Sequence, residues 1–301
     1  MNNGQKIIND EEMGYFFGSP TGTYSKVLCS LDQTRVNSCE TSSIPLAEFW
    51  QPSNLGKIKE KFETLLPGFD PVSAKKHFEF PTYAKTINGE RIGAPSMTDL
   101  MVFTPGIKMA IEGKFTEYVE KREQTIANWL EERKKRKING SWTPGSREEH
   151  LRNVLLAWFG CLRQAGCTGL ADDNAFFSEC MEDVSYQFLH RAASACCKAD
   201  VENGPIPVLV YQLFFDANSK EHIAKMDQFK DNLRRWAETL KLQGMKFFIV
   251  SVPILNAKDV RDRYSKMSGG FFHVLENRPI YIFDFDKIMM EDALVSKKDG
   301  K

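Results

Sequence analysis

Three side chains in one short stretch have the types that metal and phosphate chemistry needs: Asp99, Glu112 and Lys114. Asp99 lies in the strand-like run Thr98–Thr104 and the other two in Ile107–Phe115, with Pro105-Gly106 between the runs. With Pro105 and Gly106 as the central residues of a hairpin turn, Thr104 faces Ile107, Val102 faces Met109 and Asp99 faces Glu112. The alternation supports this register independently of any chemistry. It places Leu100, Val102, Met109, Ile111 and Phe115 on one apolar face, and Asp99, Met101, Ala110, Glu112 and Lys114 on the other. An L-Pro-Gly pair favours a type II turn over the primed hairpin turns, so a slipped register is the competing outcome. Directly opposed residues have Cβ atoms roughly 4.5–5.5 Å apart, where two carboxylates repel. A divalent cation would offset that repulsion, and carboxylate oxygens are the ligands Mg²⁺ prefers. Lys114 points to the same side. At about 4 Å and an effective dielectric near 20, one carboxylate favours a charged lysine by roughly 4 kcal/mol. It is therefore expected as an ammonium that stabilises developing charge on a phosphate or positions a water. The alternative is an ordinary hairpin edge whose Asp, Glu and Lys form a solvated ion cluster.

The elements that must position these residues follow from periodicity. Leu55, Ile58, Phe62 and Leu65 recur at three and four, which predicts a helix over Asn54–Leu66 stopped by Pro67-Gly68. Asn88-Gly89, between Tyr83–Ile87 and Arg91–Ile92, is a tight hairpin signal. A charged helical stretch, Glu117–Lys137, ends at Asn139-Gly140. Ser146 and Glu149 have the spacing of a capping box opening a helix to about Gln164. A further helix is expected over roughly 174–198. Pro207–Asp216 reads as a buried strand, Lys220–Leu242 as a helix and Lys246–Pro253 as a second buried strand, a parallel crossover. Residues 279–286 read as one more strand. The expected fold class is α/β (α+β), with residues 1–45 as an N-terminal arm, residues 46–301 as one domain and a helical insertion over about 117–170.

On these residues the chain resembles the PD-(D/E)xK, or restriction-endonuclease-like, nuclease superfamily. Asp99 followed by Glu112-Gly113-Lys114 on the next strand looks like its D…(D/E)-x-K signature. The order helix, three strands, helix, strand looks like its core, a mixed central sheet flanked by helices. Pro95 stands four residues before the first acid rather than beside it. The resemblance implies metal-dependent hydrolysis of a nucleic-acid phosphodiester. Asp99 and Glu112 would hold Mg²⁺, with Mn²⁺ as a substitute and the main-chain carbonyl of Gly113 as a further ligand. Lys114 would contact the attacking water or a phosphate oxygen. The implied partner is double-stranded DNA. Cutting both strands with one site per chain would favour a homodimer. Tyr186-Gln187 resembles the helical Gln of some branches. A catalytically inactive nucleic-acid-binding or assembly module of the same fold is the first alternative.

Other signals define the remaining choices. Arg133-Lys134-Lys135-Arg136-Lys137 is a basic run that would touch phosphates or simply end a helix, where cations suit the macrodipole. Trp142, Arg147 and Arg152 would extend such a surface. Glu60 or Glu63 would add a metal ligand, and His190 and Arg191 share a helix with Gln187. Asp284-Phe285-Asp286 at an expected strand end resembles the D-x-D opening of haloacid-dehalogenase-type phosphotransferases, a second alternative of a phosphatase, with only a short chain left after it. The chain has 301 residues, with 40 basic and 40 acidic side chains, so bulk charge argues for no particular partner. No apolar run approaches the ~20 residues of a membrane span. Residues 1–12 lack a signal-peptide pattern, and an odd count of 7 cysteines without C-x-x-C suits a cytoplasmic protein with buried thiols. P-loop, zinc-protease and serine-hydrolase motifs are absent.

Overall fold

The register expected around Pro105-Gly106 is the one that forms. In a computed structural model, Leu100 pairs with Ile111, Met101 with Ala110, Val102 with Met109 and Phe103 with Lys108. Thr104 N–H closes the turn on the Ile107 carbonyl at 3.0 Å. The structure describes residues 14–18, 24–33, 39, 41–86, 88–119, 125–135, 144–197, 204–266 and 279–295. Arg136, Lys137, Asn139-Gly140 and Trp142 lie outside the described residues.

In chain order the elements are β1 (Tyr15–Phe17), α1 (Tyr24–Gln33), α2 (Ser43–Phe49), α3 (Leu55–Glu63), β2 (Lys75–Lys85), β3 (Arg91–Phe103), β4 (Ile107–Lys114), α4 (Ile126–Lys135), α5 (Pro144–Gln164), α6 (Asp173–Glu179), α7 (Tyr186–Cys196), β5 (Ile206–Asp216), α8 (Lys220–Thr239), β6 (Lys246–Ile254), α9 (Ala257–Tyr264) and β7 (Met289–Asp292). All seven strands join one mixed sheet in sequence order. β2, β3 and β4 form an antiparallel meander. β4, β5 and β6 run parallel, and the edge strands β1 and β7 pair parallel to β2 and antiparallel to β6. The architecture is thus the expected mixed α/β sheet flanked by helices.

Two cores lie on the two faces of the sheet. Leu100, Val102, Met109, Ile111 and Phe115 pack with α1, α2, α3 and α9. Met101 and Ala110 face the other core, built with α4 to α8. β5 alternates between them, with Leu209, Tyr211 and Leu213 on one side and Val208, Val210 and Phe214 on the other. A strand covered on both faces is mostly apolar, which is why this segment reads as a nearly unbroken run; its one interior polar residue, Gln212, is buried and accepts the Trp50 indole N–H at 2.9 Å. Burial of these side chains, at about 1.5–3 kcal/mol each for a full Val, Leu, Ile or Phe, is the main force holding the meander between helices. The described part of residues 1–45 is built into this fold: β1 lengthens the sheet, and Tyr15, Val27, Leu31 and Ile44 are buried.

Several expected boundaries move. β2 begins at Lys75, not Tyr83, and runs through Pro81. The expected helix over 174–198 is two helices, α6 and α7, and α6 starts where the Asp172 carboxylate accepts the Ala175 N–H at 2.9 Å. α5 starts at Pro144, so Ser146 lies inside the helix rather than at its cap. Proline's fixed φ and missing N–H suit a first helical turn. The stretch Glu117–Lys137 holds a 3-10 turn, Glu117–Val119, and then α4. Residues 279–286 do not form the expected strand. They make a single bridge, Phe283 to Ile254, before a 3-10 turn over Phe285–Lys287. Two main-chain bonds, Leu255 N–H to Ile282 O at 2.9 Å and Asp284 N–H to Pro253 O at 3.0 Å, join the segment to the end of β6, and side chains take other backbone groups a strand would have used. The Glu48 carboxylate accepts N–H bonds from Ile280 and Tyr281, each at 2.8 Å, and Asn256 bonds Ile280 O and Ile282 N–H. Among the described residues no helix is long and apolar enough to cross a membrane.

Candidate active site

Asp99, Glu112 and Lys114 come together where the β3–β4 ladder runs out. The last ladder pair is Leu100–Ile111, and one step beyond it the strands part. There the Asp99 side chain replaces the ladder: its Oδ2 accepts the Gly113 N–H at 2.9 Å. Gly113 is held close to α2 on the other face. A Cβ there would lie 3.2 Å from Ser42 Cβ and 3.4 Å from Leu46 Cδ2, so the residue between the acid and the lysine has to be small. Lys114 Nζ stands 3.2 Å from Glu112 Oε1, and both side chains are almost fully buried.

α7 completes the cluster from above. Gln187, His190 and Arg191, at spacings of three and four, share the helix face turned to β3 and β4. Gln187 Nε2 donates to Glu112 Oε1 at 2.6 Å, and its Oε1 accepts from Lys114 Nζ at 3.0 Å. The Gln singled out in the sequence is therefore part of the site. Arg191 donates through Nε to Glu112 Oε2, and through Nη1 to Ser96 Oγ at 2.7 Å. Its Nη2 faces Asp99 Oδ1 at 3.6 Å. Burial works against the guanidinium's charge, but Glu112 and Asp99 outweigh it and hold its pKa above the usual value. His190 Nδ1 lies 2.8 Å from Ser96 Oγ. Burial first, then Arg191 and Lys114, press its pKa well below the ordinary imidazole value, so the ring is neutral.

Glu79, on β2 opposite Asp99, is a further member that the sequence reading missed. It has φ +50°, uncommon for any residue but glycine. The side-chain alternation breaks there: Phe78 packs into one core and Phe80 against the other, although they are two apart. The strain turns a third carboxylate toward Arg191 and Glu112. Burial, offset by Arg191 and reinforced by Glu112, lifts the Glu79 pKa to about 7. Burial and the Glu112 charge likewise raise Asp99 well above the carboxylate range, with Arg191 opposing and Glu79 adding to the rise. The signal available in the sequence was the His77-Phe78-Glu79-Phe80 run, in which an acid is embedded among aromatics.

The remaining sequence candidates lie elsewhere. Glu60 and Glu63 are exposed on α3, which packs on the opposite face, and Glu63 accepts the Gly68 N–H at 3.1 Å. Lys134 of the basic run is tied to Glu131 and Glu148 at 2.8 and 3.0 Å, and Arg133 lies over the Trp129 ring. Arg152 pairs with Glu148. Asp284 pairs with Lys287 at 3.2 Å and Asp286 is exposed, both in or beside the 3-10 turn rather than at a strand end.

A family model, described as a domain of unknown function (DUF6946), matches residues 28–256. The chain belongs to the DUF6946 family. No curated protein and no solved structure matches it. The DUF6946 span runs from within α1 to just past the end of β6 and contains every residue of the cluster, leaving β1, α9 and β7 outside.

The donor set of this DUF6946 site suits a hard divalent cation in kind: carboxylates on one face and a main-chain carbonyl at Gly113. Three carboxylates against Arg191 and Lys114 leave the cluster one cation short. Burial is the first cause of the raised Asp99 and Glu79 values, and the Glu112 charge adds to it. Among the described residues, however, no three His, Cys, Asp or Glu side chains stand in an arrangement that would hold a metal. Arg191 occupies the place between Asp99 and Glu112. The residues therefore fit a cation only with the guanidinium drawn aside.

Proposed function

We propose that this protein is a metal-dependent nuclease of the PD-(D/E)xK type that hydrolyses phosphodiester bonds of double-stranded DNA. The observation that carries the reading is the meeting of Asp99, Glu112 and Lys114 on one face at the open end of the β3–β4 ladder. The element order α3, β2–β3–β4 meander, α7 and parallel β5 supports it, since that is the order of the family's core.

In this reading Asp99 and Glu112, with the Gly113 carbonyl, hold Mg²⁺, and Mn²⁺ can take its place. The bound cation supplies a more acidic water and neutralises charge on the phosphate. Lys114 donates a hydrogen bond to the attacking water or a non-bridging phosphate oxygen. Gln187 keeps that ammonium and the Glu112 carboxylate at fixed positions, because it bonds both. Arg191, released from Glu112, offers a planar fork suited to a phosphate. A single site per chain calls for a homodimer to cut both strands, and the cytoplasm is the expected compartment.

The second reading is a DNA-binding or assembly module whose chemistry is lost, favoured by the Arg191 bridge between the two acids. One assay set separates the readings. Linear, circular and single-stranded DNA, and RNA, are incubated with the protein in Mg²⁺, Mn²⁺ or EDTA, alongside Lys114→Ala. Cleavage of duplex DNA that disappears both in EDTA and in the variant supports the nuclease. Binding of duplex without cleavage in either metal overturns it in favour of the module.

A further inference from the structure

Away from this cluster, a second group of side chains has reactive chemistry. Cys161 on α5 and Cys197 at the C-terminal end of α7 bring their sulfurs into direct contact, with Cys197 donating its S–H to Cys161. Both are half-buried, and both line a cavity of about 700 Å³ that also carries Lys85, Arg91 and Lys108. Lys108 Nζ donates to the Cys197 carbonyl, so a positive charge sits beside the pair. The hydrogen bond from Cys197 and the charge of Lys108 favour the Cys161 thiolate, and together they outweigh burial. Cys167 and Cys196 make a second thiol pair, in which the hydrogen bond with Cys196 lowers the Cys167 pKa, and Cys196 borders the same cavity; both are fully buried, unlike Cys161 and Cys197. The Cys180 thiol is pushed up to about 12 by burial.

We propose that Cys161 and Cys197 form a peroxide-reactive dithiol that closes to a disulfide joining α5 to the end of α7. A thiolate that is reachable, hydrogen-bonded and set beside a cation is the reactive kind of cysteine, and an adjacent thiol resolves its oxidised form. The Cys161 thiolate attacks one oxygen of hydrogen peroxide; the O–O bond breaks, hydroxide leaves and takes a proton, and Cys161 becomes a sulfenic acid. The Cys197 sulfur then attacks the Cys161 sulfur, the S–S bond forms, and the sulfenic oxygen leaves as water with the Cys197 proton. Two thiols and one peroxide give one disulfide and two waters, with two electrons passing to the peroxide. α7 also carries Gln187 and Arg191, so the bond would tether the helix that covers the acid cluster. The inference does not depend on what that cluster catalyses.

The test is peptide mapping of the full-length protein under non-reducing conditions after hydrogen peroxide treatment, with iodoacetamide labelling of the remaining thiols. The expected result is a 161–197 cross-linked peptide pair, about 2 Da lighter than the two free thiol peptides together, with loss of labelling at both positions that dithiothreitol reverses. Cys197→Ser should leave Cys161 as a sulfenic acid captured by dimedone, and Cys161→Ser should leave Cys197 uncoupled. Full labelling of both thiols after peroxide, or a cross-link through Cys167 or Cys196 instead, would overturn the proposal. Failure of Cys161 to take dimedone in the Cys197→Ser protein would equally overturn it. The wild-type mapping decides the matter even where a variant does not fold.

Discussion

Replacing Arg191 by alanine gives the most informative perturbation of the acid cluster. Its guanidinium is the cation that bonds Glu112, caps Ser96 and faces Asp99, and only 8% of its side chain is exposed. Removing it leaves Glu79, Asp99 and Glu112 with Lys114 alone. Breaking a buried ion pair by deleting one partner costs about 3–5 kcal/mol, against a total stability of about 5–15 kcal/mol for a domain. The sign of the pH dependence follows from linkage. With the guanidinium gone, the folded-state pKa values of Glu79 and Asp99 rise further above their unfolded values, so the folded state binds more protons than the unfolded one. Stability is then retained below the unfolded carboxyl pKa and lost as pH rises toward the folded value. Urea unfolding should show the full loss at pH 8 and a markedly smaller one at pH 5. Added Mg²⁺ or Mn²⁺ should restore stability at pH 8, because the cation takes the place the guanidinium left. Arg191→Lys, which keeps the charge, should lose less. An Arg191→Ala protein equally stable at both pH values, or one indifferent to either metal, would refute this reasoning.

Two further outcomes follow from the same geometry. Glu79→Gln removes a carboxylate whose pKa is lifted to about 7; such a group weakens the fold once ionised, so thermal melts should show a gain of about 1–3 kcal/mol at pH 8 that vanishes near pH 4. Gly113→Ala brings a Cβ to 3.2 Å from Ser42 Cβ, and chemical denaturation should show a loss of about 1–3 kcal/mol from the displaced α2.

How much of this was readable beforehand depends on what each residue's neighbours are. The register that brings Asp99 beside Glu112 and Gly113 was legible because strict alternation on both strands leaves one register that buries Leu100, Val102, Met109 and Ile111 together. The spacing of three and four carried α3, and the apolar run carried the burial of β5. Glu79 was not legible, because its role comes from a backbone that leaves the pattern: φ is positive, the alternation inverts, and Pro81 two residues later disguises the strand. Arg191 was visible as a helical residue only. Its contact with Glu112 spans 79 positions in the chain and depends on how α7 lies across the sheet. The stretch 279–286 looked like a strand because it is apolar. Beyond main-chain bonds with Pro253 and Leu255, its backbone partners are side chains of Glu48 and Asn256, and no local pattern announces those.

The most direct test of the nuclease reading is single-turnover cleavage of an end-labelled DNA duplex in saturating Mg²⁺, comparing the wild type with Asp99→Asn. The account predicts metal-dependent cutting by the wild type and a loss of about 10²-fold or more in Asp99→Asn, with duplex binding kept. Wild-type protein that binds duplex yet cuts none at any Mg²⁺ or Mn²⁺ concentration would contradict it, as would Asp99→Asn cutting at the wild-type rate.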